Sequence, residues 1–440
     1  MKTLKHNSFI LLALLLAATL LLSACGTAAI QSSEKPDSAS GSLSTPDANS
    51  AASANSAGSS DNASVAAPSE DSEPGEAFSS RDLSGDYDPA EAVTVSLNGA
   101  SASASSDSVQ IDGGAVTITA AGTYVLSGTL DNGSIIVNAA RDDKVQLVLN
   151  GVEINSDSFA AIYVAQADKV FITLAEGSVN TLTNGGSFVQ IDDNNVDAVL
   201  FAKDDITLNG SGKLVVTSPA GHGIVGKDEV TITGGIYEIS SAKCAIRGKD
   251  SIAIAGGSFT LKAGTDGLHA ENNDDDRLGN IYIAGGSFVI TAGDDAIHAN
   301  TLLQIDGGTM TITAAEGLEA TYVQINGGDV SISASDDGET AASKSSAYTP
   351  TFEMNDGTLT VVMGRGDTDG IDSNGSVVVN GGTINITGQS SFEYDGAAQY
   401  NGGTIIVNGQ QVTTIPNQFM GGGMGGNPGG NGNAGGGRRR

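Results

Sequence analysis

From about residue 93 to residue 415, apolar and polar positions alternate in short runs, the period-two signature of strands with one face in a core. In IAIAGGSFTLKA, at 252 to 263, Ile252, Ile254, Phe259, Leu261 and Ala263 point one way, while Ala253, Ser258, Thr260 and Lys262 point the other. The segment recurs as VTITGGIYEISS (230 to 241), IYIAGGSFVITA (281 to 292), LQIDGGTMTITA (303 to 314), VQINGGDVSISA (323 to 334), FEMNDGTLTVVM (352 to 363) and VVVNGGTINITG (377 to 388). The glycine pairs, one of them Asp-Gly, begin at 234, 256, 285, 307, 327, 356, 381 and 402. Intervals of 20 to 29 residues are those of solenoid coils.

No stretch after the N-terminal apolar run carries a 3.6-residue apolar stripe, so covering helices do not join the strands. Three short strands per coil solve the connection: IxI, a glycine turn, FxIxA, an acidic turn, then the apolar pair of Gly267-Leu268-His269-Ala270. The prediction is all-β, a single-stranded parallel β-helix of about 20–29 residues per coil, with coils stacked about 4.8 Å apart. Weaker copies at 109 to 120, 145 to 152, 170 to 183 and 206 to 217 extend it upstream. Some 320 residues at roughly 22 per coil give about fourteen coils. A β-propeller would need a fourth strand per repeat, and a nine-residue calcium roll a period that is absent. Unpaired end strands need caps, expected at 94 to 97 and 405 to 412.

The flanks differ from this core. Lys2 and Lys5 precede an apolar run from Phe9 to Leu22, shorter than the roughly 20 residues of a spanning helix. It ends in Leu22-Ser23-Ala24-Cys25-Gly26, which resembles the bacterial lipoprotein lipobox. Residues 1–24 are therefore expected to be a lipoprotein signal peptide. Cys25 becomes the lipidated first residue, and the protein an extracellular one anchored to the outer face of the cell membrane. Residues 25–92, rich in Ser, Ala and Asp, are expected to form a disordered stalk, 93–415 the β-helix, and 416–440 a disordered Gly-rich tail ending in three arginines.

Charge sharpens the functional reading. Fifty-one acidic against 20 basic side chains give a net charge of −31, which excludes nucleic acid as a partner and suits divalent cations. Cys25 and Cys244 cannot supply a disulfide framework. After the second strand of successive coils stand Asp266, Asp295, Glu316, Asp337 and Asp369, a ladder of carboxylates once the coils are stacked. Ionised neighbours about 5 Å apart repel by a few kcal/mol at an intermediate dielectric, and calcium, which accepts six to eight oxygens, relieves that repulsion. Asp294, Asp336, Asp367 and Asp372 stand beside the ladder, with Glu271, Asp274, Asp275 and Asp276 in the longest acidic loop. The structural alternative is that Asp-Gly simply makes good turns.

Upstream, His222 and Cys244 occupy the ladder column. Three residues on, a second column reads Val225, Arg247, His269, His298, Glu319 and Asp372 and should face outward. His269 and His298 with Glu319 offer transition-metal donors, or are surface imidazoles bonded to carboxylates. Lys203, Lys227 and Lys249, each before an Asp, line one edge, so Lys227, Arg247, Lys249, His269 and His298 are the carbohydrate-contact candidates.

Lipobox, acidic stalk, glycine-pair repeats, Asp-Gly ladder and glycine-rich tail together resemble the bacterial carbohydrate-binding lipoproteins built on a calcium-containing, polysaccharide-lyase-like right-handed parallel β-helix. The resemblance covers roughly 93 to 412 and is clearest from 221 to 388. It implies binding of plant-type polysaccharide, cellulose or acidic pectic chains, with calcium on Asp266, Asp294, Asp295, Asp336, Asp337, Asp369 and Asp372. The chain departs at Glu316 and at Glu339-Thr340, where the small-apolar-acid register breaks. A non-catalytic binder leads; a calcium-dependent lyase, needing a Lys or Arg base among Lys227, Arg247, Lys249 and Arg365, and an adhesin or wall spacer are the alternatives. Trp is absent, and Tyr237, Tyr282, Tyr322 and Phe392 are the few aromatics available to a sugar platform.

Overall fold

A computed structural model describes residues 77–365 and 368–418 of the chain. Cys25, the signal segment, most of the stalk, Asp367 and most of the Gly-rich tail lie outside the described residues; the first residues assigned to that tail instead bond the last coil, Asn417 donating to the Tyr394 carbonyl and Ser391 to Gln418. The described residues form strands and turns without a helix, in sheets of 25 and 13 strands paired almost throughout in parallel with the next coil. Each coil contributes three strands. In one coil these are Ser251–Ile254, Ser258–Ala263 and Leu268–Ala270, stacked in register on Asn280–Ile283, Ser287–Ala292 and Asp295–Ala299. The parallel β-helix expected from the alternation is the fold.

Identical inward positions stack on one another, so the core is a set of side-chain columns. Tyr237, Phe259 and Phe288 form one, with ring centroids 5.0 and 4.6 Å apart and nearly parallel planes. Outside the core, at the turns before the last four glycine pairs, side-chain amides form a second ladder. Asn326 donates to Asp306, Asn355 to Asn326, Asn380 to Asn355 and Asn401 to Asn380, each at 2.7 Å. The glycine pair is required twice over. The second glycine adopts positive φ, 97° at Gly308 and 91° at Gly328. At the first, a Cβ on Gly381 would lie 2.2 Å from the Asn355 carbonyl of the previous coil.

Two upstream expectations change. Residues 109 to 120 are not a coil but an antiparallel hairpin, Val109–Asp112 with Ala115–Ile118, because Asp112-Gly113-Gly114 turns the chain back on itself. The third-strand sheet accordingly has thirteen strands, the first of them antiparallel, and the stack is shorter than fourteen coils. At the far end Thr404–Val407 pairs antiparallel with Gln410–Val412, and near the start Val93–Gly99 pairs antiparallel with Ala102–Ala104.

Residues 77–92, which composition assigns to the stalk, instead include a strap laid across the outer side of the first strands. Asp82 is buried, ion-paired to buried Lys169 at 2.9 Å, and accepts from the Ser79 and Thr207 hydroxyls. The Asp82 carbonyl accepts from Asn209 and Thr233. Arg81 lies over the Phe171 ring, Phe78 stacks on Tyr282, and Gln146 donates to the Gly85 carbonyl. The strap explains why the outward Thr207 and Asn209 are buried: its polar atoms, rather than water, satisfy that face.

Candidate functional site

The third-strand sheet sets the register of the ladder. Leu268 pairs with Ile297, Asp295 with Glu316, Leu318 with Glu339 and Ile371 with Phe392. His222, Cys244, Asp266, Asp295, Glu316, Asp337, Asp369 and Ser390 therefore follow one another along a single edge of the stack. Backbone amides tie successive rungs: Asp295 N–H donates to Asp266, and Asp369 N–H to Asp337. Arg247, His269, His298, Glu319, Thr340, Asp372 and Glu393 form the adjacent column. Both columns are those read from the sequence, and the structure adds Thr340 and Glu393 to the second.

The ladder divides by chemistry. In its upstream half each acid meets an imidazole. His269 Nδ1 is 2.8 Å from Asp266, whose carboxyl also accepts from the Cys244 thiol. Burial opposes ionisation of Asp266, but hydrogen bonding to His269 holds its pKa below the usual value. Burial and the Asp266 charge push the Cys244 thiol up to about 12, so it is an inert neutral group. His298 Nδ1 lies 2.7 Å from both Asp295 and Glu319, and Lys344 is 2.7 Å from the other Glu319 oxygen. Burial opposes a charge on His298, yet the two carboxylates raise its pKa to about 10. The imidazoles of His269 and His298 stack at 4.7 Å.

In the downstream half the acids face one another. Burial, then the charges of Asp295, Glu319 and Asp337, raise Glu316 to about 7. Burial with Asp336 and Asp369 raises Asp337 to about 6, and burial with Asp337, Glu393 and Asp369 raises Asp372 to about 7. Glu339 takes the inward column position held by Leu318 and Ile371, and is 0% exposed. Neither of its carboxyl oxygens, nor Oε2 of Glu316, finds a hydrogen-bond partner among the described residues. Burial, then the charges of Asp372 and Asp337, pushes the Glu339 pKa well up. Orphaned buried oxygens among ionisable acids are the environment a hard cation completes. The residues present thus fit calcium, with Asp336, Asp337, Asp369 and Asp372 the sequence candidates on this half. Asp266 and Asp295 are engaged by imidazoles, and Asp294 is exposed beside them.

The basic candidates gather at the upstream end. Arg247 pairs with Glu271 at 3.1 Å and Lys249 with Asp274 at 2.7 Å. Lys227 lies over the Phe201 ring, and burial together with Arg247 lowers its pKa. Of the aromatics, Tyr237 and Phe392 are core; Tyr282 and Tyr322 are half-buried and donate to Asp306 and Glu353. Sequence reasoning missed Lys344, which sits in a loop outside the repeat register, and noticed Glu339 only as a break. An acid in an otherwise apolar column was the available signal.

The chain matches the carbohydrate-binding domain-containing protein family over residues 112–367. A carbohydrate-binding domain-containing protein of Acetivibrio thermocellus is 37% identical over 131 residues, which are 29% of this chain and 46% of that relative. The chain therefore spans less than half the length of this relative. The solved structure of a polysaccharide lyase-like protein from C. thermocellum, a gadolinium derivative, gives a TM-score of 0.49 at 31% identity, covering 55% of this chain and 94% of that one.

Proposed function

Since the chain belongs to the carbohydrate-binding domain-containing protein family, we propose that it binds acidic polysaccharide, with calcium on the downstream ladder bridging protein and polymer. The observation that carries this reading is the polarity of the outward column. Its charged stretch runs from Arg247, which follows buried Val225 and lies beside Lys227 and Lys249, to Asp372 and Glu393, where carboxylates outnumber their counter-charges. A uronate chain lying along the stack meets a basic cluster at one end, where its carboxylates would share Arg247 and Lys249 with Glu271 and Asp274. At the other, Asp336, Asp337, Asp369 and Asp372 would hold calcium, which supplies a positive charge that both protein and polymer carboxylates can share. Parallel coils about 4.8 Å apart offer a repeating surface to a repeating polymer.

The proposed role is binding without catalysis. Arg247 and Lys249, two lyase-base candidates, are each held by a carboxylate, and a paired cation is a poor proton acceptor. Lipid on Cys25, as the lipobox-like segment suggests, would hold the protein at the cell surface. The test is a native gel containing polygalacturonate, run with calcium and then with chelator. Retardation in calcium that is lost in chelator, and lost in Asp369→Asn/Asp372→Asn, supports the reading. A cleared track would replace it with a lyase. Unchanged mobility in both gels would sink acidic-glycan binding and turn attention to neutral polymers such as cellulose.

A further inference from the structure

We propose that Asp295, His298 and Glu319 form a site for one first-row transition-metal cation of the zinc class, distinct from the calcium assigned to the downstream ladder. The donors converge. Asp295 Oδ2 and Glu319 Oε2 each lie 2.7 Å from the same nitrogen, His298 Nδ1. A single N–H can donate to only one of them at full strength, so a proton satisfies two of the three groups and a cation all three. The three donor atoms lie within 4.8 Å of one another, which suits a cation about 2.0–2.2 Å from each.

The scaffold holds this geometry. Asp295 and His298 come from one strand, Asp295–Ala299, and Glu319 from its neighbour in the next coil, Glu316–Ala320. Lys344 binds Oε1 of Glu319 at 2.7 Å and thereby fixes Oε2 as the oxygen facing the imidazole, the orienting role of an outer partner at metal sites. The His269 ring, stacked at 4.7 Å, keeps the His298 ring from turning. A cavity of about 270 Å³ opens beside the triad, and Glu316, whose Oε2 has no hydrogen-bond partner among the described residues, lines it. That opening leaves room for a fourth ligand, water or a sugar oxygen.

Imidazole selects the metal. Calcium prefers oxygen throughout, whereas zinc, copper and nickel accept nitrogen with carboxylate. A related triad, Cys244, Asp266 and His269, lies one coil upstream. Cations separated by one ring-stacking distance would repel strongly, so only one of the two triads holds an ion at a time.

The test uses the full chain, stripped with chelator and titrated with Co²⁺ and Cu²⁺. The expected result is one equivalent of Co²⁺ with a ligand-field absorption, and a Cu²⁺ paramagnetic resonance spectrum split by one nitrogen. His298→Gln should weaken Co²⁺ binding at least about 100-fold and Lys344→Ala about 10-fold. His269→Gln should retain both spectra at somewhat lower affinity, since it removes only the stacking ring, and Asp369→Asn/Asp372→Asn should retain both unchanged. Absence of nitrogen splitting in the wild type overturns the proposal and needs no variant. So does a spectrum that survives His298→Gln, or one that His269→Gln removes. The outcome is independent of the glycan gel, which reads the downstream acids.

Discussion

Glu339→Leu should make the calcium-free protein more stable, contrary to the rule that most substitutions destabilise. The position is fully buried between Leu318 of the preceding coil and Ile371 of the following one. Both carboxyl oxygens lack a partner among the described residues, and leaving a buried polar group unsatisfied costs about 1–3 kcal/mol. A leucine there also recovers about 1.5–3 kcal/mol of apolar burial, offset by about 1–3 kcal/mol if its branch fits the column poorly. The expected net gain is about 2 kcal/mol, or a rise of about 3 °C in melting midpoint for a domain of this size. Glu339→Gln keeps an orphaned dipole and should gain less than half as much. The assay is thermal unfolding of wild type, Leu and Gln forms in chelator and again in calcium. Calcium should narrow or reverse the difference, because an ion beside Asp337 and Asp372 would offset the charges that keep the wild-type carboxyl protonated and let it ionise. A Leu form that melts below wild type in chelator would refute the reasoning, since it would mean that the carboxyl has a stabilising partner.

Asp82→Ala leaves the buried Lys169 ammonium without its carboxylate and should cost about 3–5 kcal/mol, with new protease cleavage within residues 77–92; a loss below about 1 kcal/mol would contradict a docked strap. Burial and the Asp205 charge raise the Glu229 pKa to about 7 from 4.5. The folded state therefore keeps a proton that the unfolded state releases near pH 4.5. The stability this group contributes is fully present below that value and is lost as pH rises to about 7, by up to roughly 3 kcal/mol at 1.36 kcal/mol per unit. Glu229→Gln should flatten that part of a stability-versus-pH curve measured by denaturant titration. Asn355→Ala removes one rung bonded on both sides and should cost about 1–3 kcal/mol, detectable as faster amide exchange in the turns at 326 and 380.

Much of the architecture was legible because stacking converts sequence spacing into contact. The run Asp266-Gly267-Leu268-His269 reappears as Asp295-Ala296-Ile297-His298, and in-register pairing makes Asp266 and Asp295 neighbours without further information. The same logic placed Arg247 under His269 and Glu319 after His298. It failed where a contact does not follow the repeat. Lys344 reaches Glu319 from a loop whose residues have no counterpart in other coils. The strap was illegible because it docks through Asp82, Ser79 and main-chain carbonyls rather than through an apolar face, so its composition matched that of an unstructured stalk. The hairpin at Val109–Asp112 alternates like a coil strand, and only the direction of its partner tells the two apart.

The strap also sets an order of events during synthesis. Neighbouring coils meet across short separations, as when Asp295 bonds Asp266 29 residues earlier, so each turn can close soon after it is made. Asp82 leaves the ribosome first yet waits for Thr207, 125 residues later, and Thr233, 151 residues later. Until those arrive, Lys169 and the outer faces of the early strands stand uncovered. The growing stack therefore passes through a stage in which its first strands are assembled but unsealed, open to whatever binds a bare polar sheet face, and a segment made early waits for partners made much later.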